Sequence, residues 1–189
     1  MTAALSGPPP EDGWTVHDLD VLPHDGVRRE LIDGALHVPP LPTSVHQVMA
    51  MHLMVALDQS CPEHLFVTQA NDVQLSPHRL FIPDVLVTTF EAARRRSGSF
   101  MADEVVLTVE IVSSGSQSMD RVLKPALYAK AGIPQYWLIE TDEDITVHTN
   151  RLNGNAGVYE PSGSFTDVIR TDEPWPIEIP IAGLCPRNF

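Results

Sequence analysis

The chain has 189 residues, 43% of them hydrophobic and 20% charged, which suits one globular domain with a core large enough to need no covalent staples. Its two cysteines, Cys61 and Cys185, exclude a disulfide scaffold and a Cys-type zinc site, and no apolar run reaches the roughly 18 residues of a membrane span. The formal net charge of −13 removes the global attraction for phosphate on which tight non-specific nucleic-acid binding rests, so any such contact must come from a local basic patch or a divalent metal.

Residues 1–13 carry a Gly-Pro-Pro-Pro-Glu run and no basic segment followed by an apolar one. They read as a disordered lead-in rather than a signal peptide, and 14–189 as a single domain expected in the cytoplasm. A short helix is predicted over 15–22, with Thr15 as its cap. Residues 28–38 read as a hairpin turning at Asp33-Gly34, and Pro39, Pro40 and Pro42 end it. Residues 44–60 predict a helix with one broad apolar face. Short strands follow at 65–67 and 72–75. Residues 80–88 (LFIPDVLVT) read as one apolar strand interrupted at Pro83-Asp84, and 90–96 as a helical turn ending in three arginines. Residues 104–112 (EVVLTVEIV) are β-branched and almost wholly apolar, as a strand buried on both faces should be. A polar loop, 113–118, leads to a helix over about 119–131 closed by Gly132, its packed part starting at Pro125 because proline is comfortable only in a first turn. Residues 135–140 predict another central strand and 144–149 an edge strand. Turns at Asn153-Gly154 and Ser162-Gly163 separate short strands in the tail. The order predicts an α/β fold with a central mixed sheet flanked by helices and a β-rich C-terminal extension. The strand-helix-strand unit makes 104–112 and 135–140 parallel neighbours.

Two carboxylates interrupt otherwise apolar strands: Asp84 after Pro83, and Glu110 near the end of 104–112. Burying a carboxylate costs several kcal/mol unless it is paired or metal-bound, and two on neighbouring strands would resist ionising together. A hard divalent cation with oxygen ligands resolves both difficulties and could activate a water. Taken singly, each has an equally good structural explanation as a turn residue or a strand-end charge. Asp120, Lys124 and Tyr128 follow at i, i+4 and i+8 and share one helix face, so a lysine would stand beside the carboxylates. The alternative is a solvated Asp120–Lys124 pair. His46, on a mostly apolar helix, reads as a packed residue more readily than as a base. Arg94-Arg95-Arg96 with Arg121 and Lys130 is the candidate phosphate-facing patch, or equally a solvated helix end. Tyr136 and Trp137 read as core.

Glu30-Leu-Ile-Asp-Gly34, His46, Pro83-Asp84, Val109-Glu110-Ile-Val-Ser, Asp120-Arg121…Lys124…Tyr128-Ala…Gly132-Ile and Tyr136-Trp-Leu-Ile-Glu140 together resemble the Uma-type restriction endonucleases of the PD-(D/E)XK nuclease superfamily. The resemblance runs from about residue 15 to 151 and rests on order and spacing rather than on any one motif. It implies a restriction-endonuclease-like fold and a catalytic set of Glu30, Asp84, Glu110 and Lys124, with Asp84 and Glu110 ligating Mg²⁺, or Mn²⁺ in its place. It also implies DNA as substrate, and a homodimer is expected because duplex cleavage needs two sites. The superfamily lysine ordinarily lies two residues after the second acid. That position is Val112 here, and Lys124 stands in for it from the next helix. The expectation for Lys124→Ala is lost cleavage with little change in thermal midpoint. Two other readings stand beside this one: a non-catalytic binding or regulatory module that keeps the fold, and a hydrolase of a small phosphoester, which needs no basic groove.

Overall fold

Local signals in the chain set most element ends. In the computed structural model, which describes residues 10–22, 25–113, 115–142 and 144–186, the Thr15 hydroxyl accepts from the Asp18 N–H while the Asp18 carboxylate accepts from the Thr15 N–H. This capping box opens α1 (Val16–Leu19). Of the expected lead-in, residues 1–9 lie outside the described residues, and Gly13 N–H closes a turn onto the Pro10 carbonyl. β1 (Glu30–Ile32) and β2 (Ala35–His37) form the expected hairpin, with positive φ at both Asp33 and Gly34. α2 (Ser44–Asp58) starts at Thr43, whose side chain accepts from the His46 N–H. β3 (Leu65–Gln69), β4 (Asp72–Ser76), β5 (Arg79–Phe81), β6 (Val85–Thr89), α3 (Phe90–Arg94), β7 (Ser99–Met101) and β8 (Val105–Ile111) follow. A π-helical turn at Met119–Leu123 runs directly into α4 (Lys124–Lys130). β9 (Gln135–Glu140), β10 (Thr146–Asn153), β11 (Val158–Phe165), β12 (Val168–Thr171) and β13 (Ile177–Pro180) complete the chain.

The strands make a six-stranded sheet, β11-β10-β9-β8-β6-β3, a five-stranded sheet, β2-β1-β5-β4-β7, and the β12–β13 pair. The six-stranded sheet is mixed: β8 and β9 are parallel, as the strand-helix-strand order requires, and its other pairs are antiparallel. One of its faces packs Leu107, Val109, Ile111 and Trp137 against α2 and the β12–β13 pair. The other packs Leu86 and Tyr136 against Leu127 and Tyr128 of α4 and Phe81 of the five-stranded sheet. Burial on both faces explains why β8 is apolar at nearly every position.

Three expectations need correction. Residues 80–88 are not one strand: β5 pairs with β1 and β4, β6 pairs with β3 and β8, and Ile82-Pro83-Asp84 crosses from one sheet to the other. Pro83 has no N–H to continue a ladder, so the run breaks there despite its unbroken hydrophobicity. The strand expected at the edge near 144–149 is β10, which lies between β9 and β11. Ser162-Gly163 is not a turn but lies within β11 at a bulge, where Ser162 is the extra residue between Pro161, opposite Asn150, and Gly163, opposite Thr149. A Cβ on Gly163 would fall 2.5 Å from the Phe165 ring and 2.9 Å from Thr149 Oγ1, so glycine marks a close approach. Among the described residues no helix is long and apolar enough to cross a membrane.

Gly132 ends α4 at φ +85°, with its own N–H on the Ala129 carbonyl and the Ile133 N–H on Tyr128. Nothing lies within 4 Å of a Cβ built there, so the conformation alone demands glycine. Gly132→Ala should cost about 1–2 kcal/mol in urea denaturation. A variant as stable as the parent would contradict the strained C-cap.

Candidate catalytic and metal site

The crossing at Pro83 delivers Asp84 to the side of β8. Its backbone N–H donates to the Val109 carbonyl at 3.1 Å, and its Oδ2 accepts from the Ile111 N–H at 2.8 Å. These two bonds bracket Glu110, so Asp84 is fixed beside it. Alternation along β8 sends Leu107, Val109 and Ile111 to one face and Glu110 to the other, toward α4. Glu110 is 2% exposed, and both of its oxygens are engaged: Oε2 accepts from Lys124 Nζ at 2.9 Å, Oε1 from the Tyr128 hydroxyl at 2.8 Å.

Lys124 reaches this point because the chain is wound to aim it. Pro125 cannot donate to the Arg121 carbonyl, and its ring would crowd that carbonyl in a regular α-turn. The turn widens instead, and the Lys124 N–H bonds back to Met119, five residues away. Asp120, Lys124 and Tyr128 then converge from one face. Lys124 Nζ lies 3.4 Å from Glu30 Oε1, 2.9 Å from Glu110 Oε2 and 3.3 Å from Asp120 Oδ1. Glu30, also buried, is held from β1 by the Ile82 N–H at 3.2 Å. The structure therefore brings all four of the residues singled out in the sequence, Glu30, Asp84, Glu110 and Lys124, to one cavity of about 50 Å³.

Two further residues join them. Asp120 is 2% exposed and lines the same cavity; its Oδ1 is off hydrogen-bond geometry with Lys124 and has no hydrogen-bond partner. His46, weighted toward packing in the sequence, places Nε2 3.1 Å from both Asp84 Oδ2 and the Ile111 carbonyl. Two acceptors around Nε2 mean that this nitrogen carries the hydrogen, and Nδ1 is buried without a partner. Apart from the resemblance, nothing in the local sequence distinguishes His46 from the other histidine of α2, His52. Only the folded position of Asp84 does.

The protonation pattern follows from burial against charge. Burial pushes the Glu110 carboxyl up, Lys124 opposes this, and Asp120, Asp84 and Glu30 reinforce it, leaving Glu110 well above the ordinary carboxylate range. Asp120 is raised for the same reason, against the pull of Lys124. Burial disfavours the Lys124 ammonium, but Glu110, Glu30 and Asp120 outweigh it and hold the lysine charged. Burial likewise opposes a charged His46, and Asp84 and the Ile111 carbonyl overcome it, raising the imidazole.

Four carboxylates line the cavity with one lysine, one arginine and one histidine, and every carboxylate donor is a hard oxygen. The unpartnered Asp120 oxygen and a cavity with room for an ion and a water fit Mg²⁺ or Mn²⁺. The fit is incomplete in one respect: among the described residues no three Asp, Glu, His or Cys side chains stand ready to hold a metal. The Lys124 ammonium instead sits among Glu30, Glu110 and Asp120. Of the patch expected to face phosphate, three arginines are committed to carboxylates, while Arg96 and Lys130 form no ion pair among the described residues. Arg94 pairs with Glu91, Arg95 with Glu104, and Arg121 with Glu140 and Asp142.

The family model for Uma2, described as "Putative restriction endonuclease", matches residues 16–182. The crystal structure of a putative nuclease belonging to DUF820 from Anabaena variabilis ATCC 29413 is similar in fold, with a TM-score of 0.67 over 90% of this chain and 96% of that one at 20% identity. Among curated proteins none matches the chain.

The burial of Lys124 overturns the expectation that its removal leaves stability unchanged. Truncation strands buried carboxylates without a counter-charge, a loss of about 3–5 kcal/mol. Glu110 and Asp120 have folded pKa values raised above their unfolded ones, so the stability they contribute is full below the unfolded values and lost as pH rises through the folded ones. Without Lys124 that loss deepens. With metal chelated, Lys124→Ala should lower the thermal midpoint more at pH 8 than at pH 5. A midpoint equal to the parent's at pH 8 would show that the lysine does not neutralise the cluster.

Proposed function

Because the chain belongs to the Uma2 family, we propose that it is a metal-dependent endonuclease that hydrolyses phosphodiester bonds in DNA, with Asp84 and Glu110 holding Mg²⁺ or Mn²⁺ and Glu30 and Lys124 completing the catalytic set. The observation that carries this reading is the convergence of Glu30, Asp84, Glu110, Asp120 and Lys124 on one cavity at the crossing between two sheets. A divalent ion bound there supplies Lewis acidity and lowers the pKa of a bound water.

The chain's own residues supply the rest. Lys124 has three N–H donors, and its charge, enforced by its carboxylate neighbours, offsets negative charge building on the attacked phosphate. Tyr128 fixes one oxygen of Glu110, so the carboxylate cannot rotate away. His46 and the Ile111 N–H share Asp84 Oδ2 and hold that carboxylate at the cavity. Asp120 Oδ1 is free to accept a hydrogen bond from water in the cavity. The engagement of Glu110 by Lys124 and Tyr128 also favours a second reading, a non-catalytic module in which the cluster is structural.

One assay separates these. Plasmid and oligonucleotide DNA incubated with the protein should be cut in Mg²⁺ or Mn²⁺, not in EDTA, and Asp84→Ala should slow cutting by about 10²-fold or more. Intact DNA under every metal condition would leave the non-catalytic reading standing, and an Asp84→Ala protein as fast as the parent would remove Asp84 from the catalytic set. His46 acts through Asp84 rather than on substrate. His46→Ala should weaken Mn²⁺ binding about 10–100-fold by calorimetry while the fold is retained. Unchanged Mn²⁺ affinity would remove that positioning role.

A further inference from the structure

We infer that Arg28 is the substrate-phosphate clamp of this site, and that the protein grips nucleic acid over only a few phosphates. The inference rests on the phosphodiesterase reading and adds what carries the substrate there.

Three cavities meet at Arg28. The acidic cavity contains it beside Glu30, Asp84 and Lys124. A second, of about 580 Å³, runs from Arg28 and Ile82 toward Leu19, Leu22, Val27 and Asp72. A third, of about 430 Å³, runs from Arg28 past His46 and Asp84 toward Pro42, Met51 and Gln69. The two flanking cavities are each of the size that holds a small organic ligand, and both are lined by Arg28 and Ala70. Together they form a trough with Arg28 at its waist.

Arg28 is half-buried, and its guanidinium is steered by one hydrogen bond, from Nη2 to the Ile82 carbonyl at 3.2 Å. That carbonyl belongs to the crossing that carries Asp84. Its neighbour Arg29 is held by Asp25 at 2.6 Å, whereas among the described residues no carboxylate lies within ion-pair distance of Arg28. Asp72 faces it from the same flanking cavity without pairing. An arginine fork beside a metal site, with donors to spare, suits a phosphate better than any other ligand.

The rest of the surface argues for a short grip. Arg94, Arg95, Arg121, Arg151 and Arg170 all pair with carboxylates. With these arginines paired and a net charge of −13, no extended basic track accompanies the trough among the described residues. Each phosphate neutralised adds about 0.9 to the slope of log affinity against log salt on duplex DNA. A grip of one to three phosphates therefore gives a shallow dependence.

The test is binding of a fluorescent duplex oligonucleotide at fixed Ca²⁺ over a series of KCl concentrations. It compares the parent, Arg28→Ala, Arg28→Lys and the surface control Arg94→Ala, with cleavage in Mg²⁺ measured in parallel. The parent should show a slope no steeper than about 3. Arg28→Ala should bind about tenfold more weakly with the slope reduced by about 1, and Arg28→Lys should restore the slope but not the full affinity. Arg94→Ala should match the parent. DNA bound through Arg28 but never cut would uphold the clamp and sink the nuclease reading. DNA cut by the parent, with Arg28→Ala unchanged in affinity and slope, would overturn the clamp and leave the nuclease. A parent slope steeper than about 3, or no binding at all, would overturn the short grip.

Discussion

One buried ammonium organises this molecule. Lys124 Nζ stands within 3.4 Å of carboxylates from three separate segments: β1, β8 and the turn that precedes α4. Desolvating a cation and several anions costs several kcal/mol per ion, and close pairing recovers that only when the geometry is good. Here the geometry is enforced by strand pairing on one side and by a proline-widened helical turn on the other. The arrangement is poor value as a way of holding a fold together, because apolar side chains of the same volume would do as well. Its persistence in the core is better explained by what the cluster can do than by what it stabilises.

The cluster also explains several backbone features that look incidental in isolation. Pro83 forces the chain to leave one sheet and enter the other, and the two residues flanking it serve the site: the Ile82 N–H holds Glu30, and Asp84 follows. Pro125 widens the turn before α4, and the π-helical segment it produces brings Asp120 and Lys124 to the same point. Tyr136, on the neighbouring strand, donates its hydroxyl to the Asp120 carbonyl and supports that turn from below. Two prolines that interrupt regular structure thus position the acids and the lysine, which is the usual place for a fold to depart from ideal geometry.

Much of this was legible in the sequence, for identifiable reasons. A lone charge in an apolar strand is conspicuous, so Glu110 and Asp84 stood out, and a strand-helix-strand order leaves little freedom for β8 and β9. The i, i+4 spacing placed Asp120, Lys124 and Tyr128 on one face even though the intervening turn is not α-helical. What could not be read was long-range. Hydropathy does not say that residues 80–88 serve two sheets, because Leu80, Phe81, Val85 and Leu86 are equally buried in either arrangement. Nor does it reveal that Gly163 makes room for Phe165 within a strand instead of turning it. His46 is ordinary until Asp84 is beside it, and Arg28 is one of two adjacent arginines until Asp25 takes Arg29. Two of the arginines that looked like a phosphate surface are taken by carboxylates remote in sequence, Glu104 for Arg95 and Glu140 for Arg121, and Arg94 by Glu91 three residues before it.

The charge balance, which at first argues against a nucleic-acid substrate, acquires a different meaning once charges are placed. A net charge of −13 repels a phosphate backbone at long range, yet the same excess in the cavity attracts a divalent cation. On the proposed reading the order of events follows from electrostatics. The carboxylates around Lys124 would favour a cation before a phosphate, because a phosphate entering first would meet Glu30, Asp84, Glu110 and Asp120 with Lys124, Arg28 and His46 to offset them. A divalent ion held by Asp84 and Glu110 would offset the negative field at the cavity mouth. Arg28, the cation in the trough not already committed to a carboxylate, then has an anion to bind. An enzyme built this way would not scan DNA through a basic track. It would engage where a short stretch of backbone can enter the trough, and its selectivity would lie in the shape of the two flanking cavities rather than in the protein's overall charge.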